Sequence, residues 1–155
     1  MSSTDKMRAR LRYWVALLAL VNVFIVSWVW AGPLHEAAQD NNVAEVRRLI
    51  ARGAKVNDKN KDGLTALHWA AYNGHSILAE LLIDKGAKLD LKDKYGYAPL
   101  HWAAIRGSKA VAELLIRKGS NVNARGRHGN TPLSWARLSG HEDIVELLTL
   151  SGGTE

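Results

Sequence analysis

Hydrophobic and small residues recur along this chain at a fixed interval of 33 positions. Leu67-His68-Trp69-Ala70-Ala71 returns as Leu100-His101-Trp102-Ala103-Ala104 and then as Leu133-Ser134-Trp135-Ala136-Arg137, and one step back it falls on Leu34-His35-Glu36-Ala37-Ala38. The same step carries Gly53 onto Gly86, Gly119 and Gly152, and Leu49 onto Leu82, Leu115 and Leu148, without an insertion. Within one period the spacing predicts two short antiparallel helices and a turn. Thr65 is an N-cap candidate, Leu67, Ala70 and Ala71 follow at helical spacing, and Asn73-Gly74 ends the first helix. The second helix is expected to carry Ile77, Leu78, Leu81 and Leu82 on one face and to close at Asp84-Lys85-Gly86. Each pair is apolar on more than one side, so neighbouring units must stack to bury those sides.

A period of 33 with a Leu-His-x-Ala core, preceded in one unit by Ala98-Pro99 and in another by Thr131-Pro132, resembles the ankyrin repeat. The resemblance covers roughly residues 32 to 153. It implies an all-α solenoid of helix-turn-helix units with short β-turn tips, in repeats of about 32–59, 60–92, 93–125 and 126–153. The small residues Ala70, Ala71, Ala103 and Ala104 fit helices that approach closely, and Arg137 departs from that pattern in the last unit. Glu142, Asp143, Glu146, Thr149 and Ser151 make the last helix polar, as suits a helix with no successor over it.

The segment ahead of the repeats follows a different pattern. Residues 1–12 are polar and basic, and Tyr13 to Ala31 then runs 19 residues without a charge. A helix of that length spans about 28 Å, close to the roughly 30 Å hydrocarbon core of a bilayer. Its Leu, Ile, Val and Phe residues sum to roughly −3 to −6 kcal/mol on the insertion scale, which outweighs the lone polar Asn22. The expectation is therefore an N-terminal apolar transmembrane or signal helix ahead of the solenoid. Tyr13-Trp14 and Trp28 with Trp30 resemble the aromatic belts of a permanent signal anchor, whereas Val29-Trp30-Ala31 offers a small-residue cleavage site for a signal peptide. In either case Lys6, Arg8, Arg10 and Arg12 precede the segment, so the positive-inside rule places the repeats on the extracytoplasmic side, the periplasm in a Gram-negative host. The alternatives are a membrane-anchored protein and a soluble secreted or periplasmic one cut near Ala31.

Composition narrows the chemistry. The formal charge is +6, and half of it sits in the first 31 residues, so the basic balance says little about polyanions. There is no cysteine, which excludes disulfides, thiol catalysis and thiolate metal sites. His68 and His101 occupy the family's structural position, where the resemblance implies an imidazole bridging backbone groups of neighbouring turns. His35 shares that position, His75 and His141 fill a Gly-His step between helices, and His128 lies in a turn. No ligand spacing for a metal occurs among them. Ser134 stands where a structural histidine would, no nucleophile elbow or phosphate loop is present, and Asp90 and Asp93 read as ordinary solvated turn acids. No catalytic residue, metal or cofactor is expected, and the chain is not expected to be an enzyme.

Trp69, Trp102 and Trp135 should form a ladder along the first helices, either as inter-repeat packing or as an aromatic strip on the concave surface. The resemblance implies recognition of a protein partner through turn tips and the exposed side of the first helices. The positions that match are Leu64, Tyr72, Asn73, Tyr95, Tyr97, Ile105, Arg106, Arg127, His128 and Leu138, with Tyr95, Tyr97, Ile105 and Arg106 as a central patch. The functional expectation is a monomeric protein-interaction module at the outer side of a membrane, with no nucleic-acid role. The alternative is an electrostatic polyanion or membrane-surface binder using Lys92, Lys94, Arg125 and Arg127.

Overall fold

A computed structural model describes residues 32–155; the basic tail and the apolar segment of residues 13–31 lie outside the described residues. Eight helices are described: α1 (Pro33–Gln39), α2 (Val43–Ala51), α3 (Ala66–Asn73), α4 (Ser76–Asp84), α5 (Pro99–Arg106), α6 (Lys109–Arg117), α7 (Pro132–Leu138) and α8 (Glu142–Leu150). They form four antiparallel pairs. The odd-numbered helices pack side by side as an inner row, α1 on α3, α3 on α5 and α5 on α7, and each is backed by its even-numbered partner. Among the described residues no helix is long and apolar enough to cross a membrane.

Close approach in the inner row depends on residue size. Ala70, Ala71, Ala103 and Ala104 are fully buried, and so are Leu67 and Leu100, so alanine faces lie between neighbouring rows of leucine. The outer row contributes Leu78, Leu82, Val111, Leu115, Ile144 and Leu148 to the same core. Gly74 ends α3 at φ 74° and Gly107 ends α5 at φ 74°, the left-handed conformation that a side chain resists.

One expectation about the outer row needs correcting. Ile77 does not share the buried face with Leu78, Leu81 and Leu82; it is 72% exposed. At about 100° per residue the buried stripe of α4 is centred between Leu78 and Leu82, and Ile77 lies about 120° from that centre. The positions 33 residues away on either side, Ala44 and Ala110, are exposed as well.

Candidate partner-binding surface

Between helix pairs the chain makes hairpin-like tips, and each is built by a side chain at its base. In the first, Asn60 Oδ1 accepts the N–H groups of Asp62 at 2.9 Å and Leu64 at 3.0 Å. In the second, Asp93 Oδ1 does the same for Tyr95 at 2.8 Å and Tyr97 at 2.9 Å. The third has Gly126 in that place, and backbone pairing with Asn130 holds it, Gly126 N–H donating to the Asn130 carbonyl at 2.9 Å. Adjacent tips are zipped together, Lys94 N–H to Asp62 O at 2.9 Å and Arg127 N–H to Tyr95 O at 3.0 Å.

Histidines tie the tips to the inner helices. His68 Nδ1 accepts the Thr65 N–H at 3.0 Å, while its Nε2–H donates to the Tyr97 carbonyl of the next tip at 3.1 Å. His101 repeats this with Ala98 N–H at 3.1 Å and the Asn130 carbonyl at 3.2 Å. His35 Nε2 lies 3.0 Å from the carbonyls of both Asp58 and Leu64. In the last pair Ser134 Oγ accepts the Thr131 N–H at 2.9 Å, taking over the Nδ1 half of the role. Nδ1 must stay an acceptor in this arrangement, and burial pushes His68 down to about 4, with its hydrogen bond to Tyr97 offsetting only part of that cost. Burial lowers His101 in the same way, against the opposing bond to Asn130.

The three tryptophans are half-buried, and they do not touch one another as a simple ladder. Tyrosines stand between them. Trp69 meets Tyr72 edge-on at 6.0 Å between centroids, Tyr72 meets Trp102 at 5.6 Å, and Tyr97 joins Trp102 at 5.9 Å to Trp135 at 5.7 Å. Tyr97 also stacks on His101 at 5.3 Å and lies beside Tyr95 at 6.3 Å. The result is a continuous strip of rings across three helix pairs, in the edge-to-face geometry that aromatic quadrupoles favour. Two cations lie on it: Arg106 over Tyr72 at 4.6 Å and Lys94 over Tyr95 at 4.9 Å.

This strip gathers Tyr72, Tyr95, Tyr97 and Arg106 from the predicted contact residues, with Trp102 and Trp135 at its base. Tyr95 is 48% exposed at its tip, whereas Tyr97 is half-buried with its ring over Gly126. The other predicted positions are more scattered. Leu64 and Ile105 are half-buried, and the Ile105 carbonyl accepts from His141 Nε2 at 3.1 Å. Asn73 is exposed at the end of α3 and donates to the Gln39 carbonyl at 3.4 Å. Arg127 and His128 are exposed on the third tip, and Leu138 is 75% exposed at the end of α7.

The basic turn residues are engaged locally. Lys92 Nζ donates to Arg125 O at 2.9 Å, Lys94 pairs with Asp62 Oδ1 at 2.7 Å, Arg125 donates to the Gly129 carbonyl at 3.1 Å and the Glu155 carbonyl at 3.0 Å, and Arg127 donates to Lys94 O at 2.7 Å. They fasten neighbouring tips.

Asp93 was missed as a site residue. It is not a solvated acid: it is 8% exposed, and its second oxygen accepts the Trp102 indole N–H at 3.0 Å. The available signal was the series Asn60, Asp93, Gly126 at the same interval of 33, each nine residues before a tryptophan. Asp90 likewise has partners, Ser120 Oγ–H at 2.7 Å and Asn121 N–H at 3.1 Å. Among the described residues no group of three or more His, Asp or Glu side chains is placed to hold a metal ion.

No curated protein matches the chain. The family model described as ankyrin repeats in three copies matches residues 34–126 and, overlapping, 78–154. Together the matches run over most of the sequence, and the chain belongs to the ankyrin-repeat family.

Proposed function

We propose that this chain recognises a protein partner through the surface formed by its tips and inner helices, with no chemical step and no cofactor. Ankyrin repeats are in general protein-interaction modules, and the family is typically a non-enzymatic scaffold. The observation that carries the assignment of the surface is the ring strip from Tyr72 through Trp102 and Tyr97 to Trp135, flanked by exposed Tyr95 and by Arg106. Aromatic rings and arginine are the residue types enriched at interface centres: the rings offer large contact area at small cost in side-chain freedom, and a guanidinium adds several directed hydrogen bonds. The engaged state of Lys92, Lys94, Arg125 and Arg127 argues against a surface built on those four cations.

The apolar segment of residues 13–31 would hold this surface at the extracytoplasmic side of a membrane, as an uncleaved anchor or, after cleavage near Ala31, as a soluble periplasmic or secreted form. Tethering would raise the effective concentration of the module for a partner at the same membrane. The module works as a monomer in this reading.

Photo-crosslinking tests the surface. A crosslinking amino acid placed at Tyr95 or Leu138 in cells that make the protein should yield a discrete adduct, and the same group at Ile77 on the outer row should not. Adducts from Ile77 with none from Tyr95 or Leu138 would move the site to the outer face.

A further inference from the structure

Charge is sorted between the two faces of this molecule. Along the three tips and the inner helices that follow them, residues 60–73, 93–106 and 126–138, the cations are Lys61, Lys94, Arg106, Arg127 and Arg137, and the acids are only Asp62 and Asp93. Asp62 is paired with Lys94, and Asp93 is buried on its own hydrogen bonds, so neither offers a free negative charge to solvent. Arg137 is paired with Glu155. Lys61, Arg106 and Arg127 are exposed and have no carboxylate partner among the described residues. The outer helices lean the other way: α4, α6 and α8 carry the exposed acids Glu80, Asp84, Glu113, Glu142, Asp143 and Glu146 against the cations Lys109 and Arg117.

These three cations and the ring strip coincide; Arg127 spends one N–H on the Lys94 carbonyl at 2.7 Å and keeps its other donors. Arg106 lies on Tyr72, which abuts Trp102; Trp102 leads through Tyr97 to Tyr95 on the second tip, next to Lys61 on the first and Arg127 on the third. A guanidinium resting on a ring keeps its in-plane N–H donors free for a carboxylate, which it can take by two parallel bonds. Building on the surface proposed above, we infer that its partner presents an acidic segment that also carries aromatic side chains, the carboxylates meeting Arg106, Lys61 and Arg127 and the rings inserting beside Tyr95 and Trp102. The charge sorting makes positively charged partners unfavourable at this face and acidic ones welcome. A single-stranded nucleic acid offers phosphates to the cations and bases to the rings, so its binding is the competing outcome of the test.

The test uses the full chain, purified in nonionic detergent, and three labelled probes: a glutamate–tyrosine random copolymer, poly-glutamate of equal length and a single-stranded oligonucleotide of equal charge. Binding is followed by fluorescence anisotropy. The copolymer should bind at least tenfold more tightly than either other probe. Arg106→Glu should weaken copolymer binding at least tenfold and Tyr95→Ala several-fold, while Lys109→Glu, the same charge reversal on the outer face, should change it less than twofold. Lys109 starts α6, where a carboxylate suits the helix dipole, so that control will fold. Equal binding of all three probes, equal loss from Arg106→Glu and Lys109→Glu, or no copolymer binding would overturn the inference. Crosslinks from Tyr95 to a partner whose yield ignores Arg106→Glu would overturn it too while leaving the surface itself standing.

Discussion

The Asp93 carboxylate joins the second tip to the floor beneath it: Oδ2 accepts the Trp102 indole N–H at 3.0 Å while Oδ1 accepts the backbone N–H groups of Tyr95 and Tyr97. The two tryptophans at matching positions have no such partner. Asn60 has one acceptor oxygen, occupied by Asp62 and Leu64 N–H groups, and its amide nitrogen can only donate; Gly126 has no side chain. Trp69 and Trp135 accordingly bury their indole N–H groups without a protein acceptor.

Asp93→Asn should keep the tip and lose the floor. The amide oxygen can still serve Tyr95 and Tyr97, but its NH₂ would face the Trp102 N–H. A buried donor left unpaired costs about 1–3 kcal/mol, which urea unfolding of the variant should show. An unchanged midpoint would mean that Trp102 finds another acceptor.

Asn60→Asp is the reciprocal change. It should give Trp69 the acceptor that Trp102 already has and stabilise the protein by about 1 kcal/mol at neutral pH, since hydrogen bonds to charged groups are among the stronger ones. Thermal melts of the variant and parent check this, and a lower melting temperature would show that the carboxylate's loss of hydration exceeds the new bond.

Gly126→Ala should be more costly than Gly119→Ala, although Gly119 sits at φ 96° and open space surrounds it. A Cβ on Gly126 would come within 2.5 Å of the Tyr97 ring. That ring is held on its other sides by His101, Trp102 and Trp135, so it has little room to move. Overpacking against a ring with no room to move falls at the upper end of about 1–3 kcal/mol, against about 1–2 kcal/mol for a left-handed alanine in open space. Urea midpoints of the two variants give the order.

Stability should fall as pH drops through the window between the unfolded and folded values of the buried histidines. His68 titrates at about 4 in the folded chain against an ordinary 6.5, so the unfolded state binds more protons between those values. Its contribution is complete above about pH 6.5 and is lost progressively toward pH 4. Asp93 and Lys59 act on His68 in opposite senses, and burial outweighs both. Between pH 7 and pH 5 the loss from His68 alone should be about 2 kcal/mol, with His101 adding in the same direction. Urea unfolding across that range measures it, and a flat profile would place both imidazoles in contact with water.

The helical pairs were legible because the apolar period and the glycines recur without insertion, and because Thr65 and Gly74 are strong local signals at the two ends of one helix. Ile77 misled because a run of apolar residues in a two-turn helix is wider than the stripe it buries. The contents of the surface were partly legible. Tyr95 and Arg106 could be placed from the repeat register, since tips and inner helix ends recur every 33 residues. The insertion of Tyr72 and Tyr97 between tryptophans could not, because it depends on ring positions in adjacent repeats, and neither could the burial of Asp93, which depends on an indole nine residues away.

On the proposed reading the segment of residues 13–31 determines where this surface operates, and its physical length argues for retention. Nineteen uncharged residues match a bilayer core, whereas a cleaved signal generally carries a shorter apolar run of about 7–15 residues. With four cationic residues on its N-terminal side, the segment should leave the repeats outside the cytoplasm. The expected outcome is a full-length species that stays with membranes through alkaline extraction and whose repeats are cut by protease added from the extracytoplasmic side. Replacing Lys6, Arg8, Arg10 and Arg12 with glutamine should weaken that orientation and protect part of the population. A soluble species whose intact mass begins near Gly32 would instead mean that Val29-Trp30-Ala31 is a working cleavage site, with the same surface then free to meet soluble partners. Repeats protected in the parent protein would overturn the topology itself.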